Sequence, residues 1–411
     1  MSKLQKLLQE LCPDGVEYKP LGDLGFFYGG LTGKKESDFE DGNAKLITYM
    51  NVFSNIALNI DIDDRVKIGK NEKQNTVKYG DVLFTGSSET LDECGMSSVL
   101  TEKTDEELYL NSFCFGFRLY NNNILLPDFS KYLFRSAMVR EQIIRTANGV
   151  TRFNISREKM KKVIIPLPPI PVQQEIAQIL DSFTKLIKEL YEELTVRRKQ
   201  FEYYRNLLLS FDDDVEWKKL GEICKVESGG TPSRKRHEYW ENGKIKWLGS
   251  AVCKNQKAVD EVTDYITEQG LKNSSAKLLK PKTTLIALVG ATIGKVSYLH
   301  FEAAINQNIA GIYPLDDTKL DPSYVFYACQ VLYPYFMALG QGRFAMANLT
   351  FVKNLKIPVP PLKEQQRIVN ILDRFNALIN DPTIGIPAEI KARQKQYEYY
   401  LNKLLNFKKK R

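Results

Sequence analysis

The chain has 411 residues, which is enough for two or three domains with buried cores. Its formal net charge of +8 permits a polyanionic partner, and no apolar run approaches the roughly 18 residues that a membrane-spanning helix requires. Six scattered cysteines without a Cys-x-x-Cys pair predict reduced thiols in a cytoplasmic protein, and the two histidines, His237 and His300, argue against a metal cluster or a histidine-based triad.

From the N-terminus onward, strand-like segments alternate with helix-like ones. Leu4, Leu7, Leu8 and Leu11 predict a short amphipathic helix that is not a signal peptide. Longer apolar segments predict helices at matching places in the two halves, 129–144 and 324–339. Short runs of β-branched and aromatic residues bounded by turn formers predict strands at 45–52, 82–86, 113–119, 244–249, 284–289 and 309–313. Each half is therefore predicted to hold a mixed α/β domain, in an α+β protein.

A duplicated motif follows each of these domains. Residues 166–187 and 358–379 are identical at 12 of 22 positions, where composition alone would give about one or two. Gln-Phe-Glu-Tyr-Tyr at 200–204 returns as Gln-Tyr-Glu-Tyr-Tyr at 396–400, so that the second copy carries four inserted residues. A period of this length indicates two domain-sized halves, and we predict an internal pseudo-twofold repeat.

After each Pro-Pro pair, apolar residues recur at three- and four-residue steps, the pattern of a helix with one buried face. No Gly or Pro interrupts 172–211, which predicts one helix roughly 60 Å long at about 1.5 Å per residue. The second copy contains Asp-Pro-Thr-Ile-Gly-Ile-Pro at 381–387, which cannot continue a helix. The predicted domains alternate between globular and helical: 1–165, 166–214, 215–356 and 357–411.

Catalytic motifs are missing from the sequence. The glycine-rich segments at 290–296 and 29–35 have the wrong spacing for a phosphate-binding loop and lack the hydroxyl residue after the lysine. Both are better explained as turns next to strands, with glycine supplying positive φ. The chain has no Asn/Asp-Pro-Pro-Tyr/Phe motif of the kind that an amino-methyltransferase needs. We therefore predict that this chain is not an enzyme.

The duplicated Pro-Leu-Pro-Pro-Ile and Pro-Val-Pro-Pro-Leu segments, each continuing through Gln-Gln to Ile-Leu-Asp and each following a variable domain, resemble the specificity (S) subunits of type I restriction-modification systems. Leu-Cys-Pro-Asp-Gly-Val-Glu-Tyr at 11–18 is similar to the same family, so that the resemblance covers essentially the whole chain. Two departures are Pro171-Val172 in place of the Lys363-Glu364 of the second copy, and the broken second helix.

The resemblance implies two target recognition domains, each recognising one half of a split double-stranded DNA site, separated by an antiparallel coiled coil. It implies spacer and subunit-docking roles for two matching sets of residues. It also implies two methylation (M) subunits that use S-adenosylmethionine and two restriction (R) subunits that use ATP and Mg²⁺, while this chain binds no cofactor itself and no membrane. The docking residues are Pro168, Pro169, Gln173 and Gln174 in the first copy and Pro360, Pro361, Gln365 and Gln366 in the second.

Polar and basic residues in loops of the variable domains are the candidates for DNA contact, because arginine and lysine bind phosphates and arginine binds guanine bidentately. For each one, a solvated or capping role is the alternative. The three tryptophans, Trp217, Trp240 and Trp247, are expected in the core. In the first domain the candidates are Lys34, Lys35, Ser87, Ser88, Thr151, Arg152 and Asn154. In the second they are Ser233, Arg234, Lys235, Arg236, Lys254, Asn255, Thr292, Lys295, Asn306, Gln307, Arg343 and Asn348.

Three other classes of function remain open on the sequence. One is a stand-alone DNA-binding regulator or anti-restriction decoy with the same fold. Another is a scaffold whose helices bind protein and whose variable domains do not touch DNA. A steep loss of DNA affinity with salt would argue against that scaffold. An enzyme with a cryptic site is the least favoured, given the missing motifs.

Overall fold

The computed structural model describes residues 2–212, 214–339 and 346–410. The chain divides into two units, one of residues 1–189 with 391–411 and the other of residues 190–390. Each unit therefore contains one globular domain and a part of each helical segment. In the described residues, no helix is both long and apolar enough to cross a membrane.

In the first unit, the globular domain contains two four-stranded sheets together with a two-stranded and a three-stranded one. In one four-stranded sheet, strand Cys114–Leu119 lies between Gly25–Gly29 and Val82–Thr85, with Ser97–Val99 at the edge. The other strands are Glu17–Pro20, Ala44–Ile47, Arg65–Val66, Thr76–Val77, Ser87–Ser88, Leu108–Leu110, Ala147–Asn148, Phe153–Ile155 and Ile164–Leu167. The helices are Lys3–Leu11, Leu21–Leu24, Tyr49–Ser54, Pro127–Leu133, Ala137–Ile144, Arg157–Met160 and the first part of Ile170–Leu208, with a 3₁₀ turn at Glu36–Phe39.

The second unit repeats the strand order of the two-stranded sheet and of both four-stranded sheets, and its described residues form no three-stranded sheet. Its first four-stranded sheet has Ile309–Pro314 between Cys224–Ser228 and Thr284–Ala287, with Val296–Tyr298 at the edge. Its other strands are Trp217–Lys219, Ile245–Leu248, Asp264–Ile266, Lys277–Leu279, Ala303–Ile305 and Lys356–Pro358. Its helices are Leu220–Ile223, Glu268–Lys272, Pro322–Val331, Tyr333–Met337, Leu349–Asn354, Leu362–Asn380 and the start of Ile386–Leu404, with 3₁₀ turns at His237–Tyr239, Ser250–Val252 and Gly290–Thr292.

The second four-stranded sheet has a parallel pair of strands at its centre, Ala44–Ile47 with Leu108–Leu110 in the first unit and Ile245–Leu248 with Ala303–Ile305 in the second. These pairs fix which residues of the two domains correspond. Leu46 and Ile47 pair with Tyr109 and Leu110 in the first unit, and Trp247 and Leu248 pair with Ala304 and Ile305 in the second. The repeat therefore extends from the duplicated motif into the variable domains, where the sequence alone does not show it.

Most predicted elements are confirmed, but the strand predicted at 45–52 is half wrong. The strand covers only Ala44–Ile47, and Tyr49–Ser54 is a helix. Its N-cap, Thr48, accepts a hydrogen bond from the Asn51 amide. This cap outweighs the strand propensity of the aromatic and β-branched residues. The predicted helices 129–144 and 324–339 are each two shorter helices, and Pro334 opens the second helix of the latter pair.

Inside each unit the two helical segments pack together through matching aromatic pairs. In the first unit Phe183 stacks on Tyr400 with ring centroids 5.3 Å apart. In the second unit Phe375 packs on Tyr204 with ring centroids 5.7 Å apart. Phe375 is the repeat equivalent of Phe183, and Tyr204 is the repeat equivalent of Tyr400. The first helix thus uses its N-terminal part in one unit and its C-terminal part in the other, the order predicted for an antiparallel arrangement.

A tyrosine–aspartate bond ties each globular domain to the helical segment of its own unit. The Tyr132 hydroxyl donates to Asp181 at 2.6 Å, and the Tyr327 hydroxyl donates to Asp373 at the same distance. Burial is the main cause that raises the pKa of both phenols well above the ordinary value, so both stay protonated donors. A lysine completes each cluster, Lys131 in the first unit and Lys257 in the second.

The predicted break in the second helical segment is confirmed. One helix ends at Asn380 and the next begins at Ile386. Asp381 closes the intervening turn, because its carboxylate accepts hydrogen bonds from the Thr383 amide and hydroxyl at 2.7 and 2.6 Å. These bonds hold the pKa of Asp381 below its ordinary value. The break is therefore an ordered turn.

Candidate nucleic-acid interface

An open cleft of about 440 Å³ in the first domain brings together three of the predicted residues, Ser87, Ser88 and Arg152. It forms where the helix Tyr49–Ser54, the strand Ser87–Ser88 and the segment before Cys114 meet. The other lining residues are Tyr49, Met50, Phe53, Glu89, Glu93 and Phe113. We call these nine residues the aromatic cleft; sequence analysis missed the last six.

Hydrogen bonds fix the walls of the aromatic cleft. The Tyr49 hydroxyl donates to the Ser87 carbonyl at 2.8 Å, and its ring stacks on Phe53. The Arg152 guanidinium donates to the Ser87 hydroxyl at 3.3 Å and lies 6.0 Å from the Phe113 ring. The cleft is therefore a formed surface with one cation, two carboxylates and four large apolar or aromatic side chains.

The other predicted residues of this domain occupy the neighbouring hairpin and a separate loop. Thr151, Arg152 and Asn154 are exposed on the hairpin that joins Ala147–Asn148 to Phe153–Ile155, where Gly149 adopts φ +120°. Lys34 is engaged elsewhere, because its ammonium pairs with Glu72 at 2.6 Å. Hydrogen bonds from the Gly69 amide and then Lys34 lower the pKa of Glu72 to about 2. Lys35 is exposed.

In the second domain the Arg234–Arg236 cluster divides into an anchored and an exposed part. Arg234, which follows the Gly-Gly pair as Lys34 does, pairs with Asp264 at 2.6 Å and lies 3.4 Å from the Trp240 ring centroid. Arg236 donates to the Tyr239 hydroxyl at 3.0 Å. Lys235 is exposed, and no ion pair of its side chain is found among the described residues.

Several predicted contact residues of the second domain have structural hydrogen bonds. Asn255 accepts from the Val296 amide at 2.9 Å, buried Asn306 accepts from the Asn308 amide at 2.9 Å, and Asn348 caps the helix Leu349–Asn354. Ser233, Lys254 and Gln307 are exposed, with Lys254 paired to Glu261, while Thr292 and Lys295 are half-buried. Arg343 lies outside the described residues. Base contact by any of these residues stays a prediction.

Two of the predicted docking residues, Gln173 and Gln365, are fully buried and bonded inside their own units. The Gln173 amide accepts from Leu126 at 2.8 Å and donates to the carbonyls of Ile124 and Pro168 at 2.9 and 2.7 Å. Gln365 makes the equivalent three bonds to Asp321, Lys319 and Pro360. Their amides are therefore not accessible to a partner in this structure.

The remaining docking candidates differ in accessibility. Gln174, Gln366 and Pro361 are exposed, Pro169 is half-buried, and Pro168 and Pro360 are buried. For the exposed residues the docking role stays a prediction.

The tryptophan prediction holds for Trp247, which is buried, and is wrong for Trp217, which is 44% exposed on the strand Trp217–Lys219. Trp240 is half-buried and carries Arg234 on its face. The glycine prediction is confirmed for the turn at 290–294, where Gly290 and Gly294 adopt φ of +70° and +73° between antiparallel strands.

The fold agrees with comparisons to known proteins. Residues 13–196 and 212–392 match the family described as the type I restriction modification DNA specificity domain, and the chain belongs to that family. It is 40% identical over 267 residues to the EcoR124I/EcoR124II specificity subunit of Escherichia coli. That match covers 62% of this chain and 65%, less than two thirds, of the E. coli protein.

Other relatives match over almost the whole chain. The putative MjaX specificity subunit of Methanocaldococcus jannaschii is 26% identical over 96% of this chain and 92% of its own. A solved structure reported for complex assembly and conformational transition of the type I R-M system has a TM-score of 0.65 at 18% identity, covering 96% of this chain and 98% of that one. The HsdS subunit of Thermoanaerobacter tengcongensis has a TM-score of 0.51 at 18% identity, covering 96% and 97%. These structures share the fold of this chain.

Proposed function

We propose that this chain is the sequence-specific DNA recognition subunit of a type I restriction-modification complex, and that each variable domain recognises one half of a bipartite site. The observation that carries the proposal is the pair of domains with one topology and different surface residues. Membership of the specificity family supports it and favours it over a stand-alone regulator or decoy. Base edges in the major groove distinguish all four base pairs, so two different surfaces can recognise two different half-sites.

The chain's contribution in this proposal is recognition and spacing, and the chemistry belongs to its partners. Two M subunits would transfer a methyl group from S-adenosylmethionine to adenine, and two R subunits would use ATP and Mg²⁺, with the whole complex acting on DNA in the cytoplasm. The helical segments would set the separation of the half-sites, which for two sites on one face of B-DNA is about 34–36 Å per turn. Exposed residues of the duplicated motif, such as Gln174 and Gln366, are the proposed contacts to M subunits.

Modified-base sequencing of DNA from cells that express this chain with its M subunit tests the proposal directly. A methyladenine motif in two parts, separated by a fixed spacer and absent from cells without this chain, is the expected result. Absence of any new motif, with the M subunit demonstrably bound, would contradict the proposal and favour the decoy or the scaffold.

A domain exchange tests the division of labour between the two domains. Replacing residues 215–356 with those of another member of the family should change one half of the methylated motif and leave the other half unchanged. A change in both halves would show that the domains do not recognise DNA independently.

A further inference from the structure

We propose that the aromatic cleft recognises an A·T base pair in the major groove, with Met50 and Phe113 contacting the thymine methyl group and Glu89 accepting a hydrogen bond from the adenine amino group. This inference rests on the proposed function and assigns the side chains that set the specificity of the first domain. It concerns contacts to base edges and leaves phosphate contacts to the basic residues of the loops.

The exposure of two large apolar side chains in one cleft is the first observation. Met50 is 59% exposed and Phe113 is 58% exposed, although they lie on different elements far apart in the sequence. Exposed apolar groups that converge on one surface mark an interaction site more often than isolated ones do. The major groove offers one apolar group, the thymine methyl, which such side chains contact in preference to the polar edges of a G·C pair.

The second observation is that the backbone holds these side chains in place. The Phe113 amide donates to the Asn111 side chain at 2.9 Å, and the Phe113 carbonyl accepts from the Gly86 amide at 2.7 Å. Met50 lies in the first turn of a helix capped by Thr48. Both side chains are therefore presented from fixed backbone, which reduces the ordering cost of binding.

The charges of the aromatic cleft point to a base edge and away from a phosphate. Glu89 and Glu93 outnumber the one cation of the cleft, Arg152, so that the cleft has a net negative charge and would repel the DNA backbone. Glu93 accepts from the Thr90 hydroxyl at 2.7 Å, whereas no bond to the Glu89 carboxylate is found among the described residues. A carboxylate accepts hydrogen bonds only, and in the major groove the amino groups of adenine and cytosine are the donors. Only an A·T pair presents both a methyl group and an amino group in the major groove.

The corresponding positions of the second domain have different chemistry. The pairing of the central strands aligns Met50 with Ala251, Phe53 with Lys254 and Phe113 with Asn308. The neighbouring strands of the first sheet align Glu89 with Ala291. The apolar and acidic set of the first domain is thus replaced by small, polar and basic residues on the same backbone frame. The two domains would accordingly prefer different base pairs at this place.

The test uses the full chain with its M subunit and the methylated motif as readout. Met50→Ala, Phe113→Ala and Glu89→Ala are expected to lower the preference for one A·T pair of the first half-site by about tenfold, since losing the contact approaches the cost of a mismatched base pair. The second half-site should not change. Tyr120→Ala is the matched control, because Tyr120 is a 69% exposed aromatic residue of the same domain that does not line the cleft.

A second measurement isolates the methyl contact. Binding of the wild-type complex is compared on duplexes in which each thymine of the first half-site is replaced in turn by uracil, which lacks only the methyl group. Replacing one of these thymines by uracil should weaken binding of the wild-type complex several-fold. The same replacement should have little effect on binding of the Phe113→Ala complex, which has already lost the methyl contact.

The outcomes separate this inference from the proposed function. Suppose that the wild-type complex methylates a bipartite motif, that the three variants leave the first half-site unchanged and that no uracil replacement weakens binding. The assignment of the aromatic cleft is then wrong and the proposed function stands. If the wild-type complex methylates no motif with the M subunit bound, the proposed function itself fails. Variants that lose both half-sites while circular dichroism shows a native fold would also count against the assignment.

Discussion

At the residue scale, the clearest lesson concerns positive charges that are already neutralised. Lys34 and Arg234 follow the same Gly-Gly pair in their two domains, and each forms an ion pair with a carboxylate of its own domain at 2.6 Å. Both are candidates for DNA contact on the sequence, which shows their charge and loop position but not the carboxylate 30 or more residues away. Their exposed neighbours, Lys35 and Lys235, are the better candidates for phosphate contact.

This difference predicts unequal effects of neutralising two adjacent residues. Lys235→Gln should reduce the slope of log affinity against log salt by about one, because one phosphate contact with counterion release is lost. Arg234→Gln should leave that slope nearly unchanged, since Asp264 already balances its charge. The measurement is a salt series of equilibrium binding to target DNA by the complex; equal slopes for both variants would contradict it.

The exposed carboxylate of Glu72 gives a prediction for pH. Its pKa is lowered from an ordinary 4.5 to about 2 by the Gly69 amide and Lys34. A carboxyl group whose pKa is lowered on folding stabilises the native state above its ordinary pKa and loses that effect as the pH falls toward 2. Wild type should therefore be more stable than Glu72→Gln at pH 7, and thermal unfolding should show the gap closing between pH 4.5 and 2. If the difference in stability between wild type and Glu72→Gln stays constant over this pH range, the charge of Glu72 is not its cause.

At the scale of elements, the duplicated motif is explained by two buried glutamines. Gln173 and Gln365 each bridge the start of a helical segment, the Pro-Pro segment before it and the loop that precedes a domain helix. The repeated sequence could be recognised without the structure, and so could the helices and the break at 381–387. The role of the glutamines could not, because a Gln-Gln pair does not show which amide faces inward.

Removing the buried amide should be costly and removing its neighbour should not. Gln173→Ala removes the partner of one buried and two part-buried backbone groups, and we expect it to lower the free energy of unfolding by about 2 kcal/mol. Exposed Gln174→Ala should change it by less than about 0.5 kcal/mol. Urea unfolding followed by circular dichroism measures both; similar midpoints for the two variants would show that the buried bonds contribute little.

The aromatic cleft shows why a site is harder to predict than an element. Its lining comes from segments around residues 50, 88, 113 and 152, which only the tertiary fold brings together. Met50 was further hidden by the strand predicted at 45–52, since the Thr48 cap that starts the helix lies inside a run of strand formers. Arg152 was found because an arginine in a glycine-led hairpin is informative by itself.

At the scale of the whole molecule, the two units use the same contacts with the copies exchanged. Phe183 packs on Tyr400 and Phe375 packs on Tyr204, while Tyr132 and Tyr327 contact Tyr397 and Phe201 in turn. Each helical segment therefore contains one phenylalanine and one tyrosine of these pairs, Phe183 and Tyr204 in the first and Phe375 and Tyr400 in the second. One half of the chain therefore carries both members of these aromatic pairs.

This complementarity predicts self-association of an isolated half. Residues 1–212 should form a dimer in which Phe183 of one copy packs on Tyr204 of the other, and mass photometry should show twice the monomer mass. With the M subunit, such a dimer should methylate a motif made of two inverted copies of the first half-site. Tyr204→Ala should weaken the dimer, whereas Val196→Ala, at a residue that is 53% exposed on the same helix, should not. A monomeric fragment would show that the matching contacts are too weak to hold the halves together.

Phe113 of the aromatic cleft and the corresponding Asn308 of the second domain each follow, two residues later, an asparagine with the same structural role. The Asn111 side chain holds the Phe113 amide and the Asn306 side chain holds the Asn308 amide, each at 2.9 Å, so that the backbone is fixed whichever side chain follows. On the proposed assignment, a mutation at 113 would alter which base pair the first domain prefers while the backbone bond to Asn111 stays in place. New specificities would then arise by single substitutions at a position where the fold does not depend on the side chain.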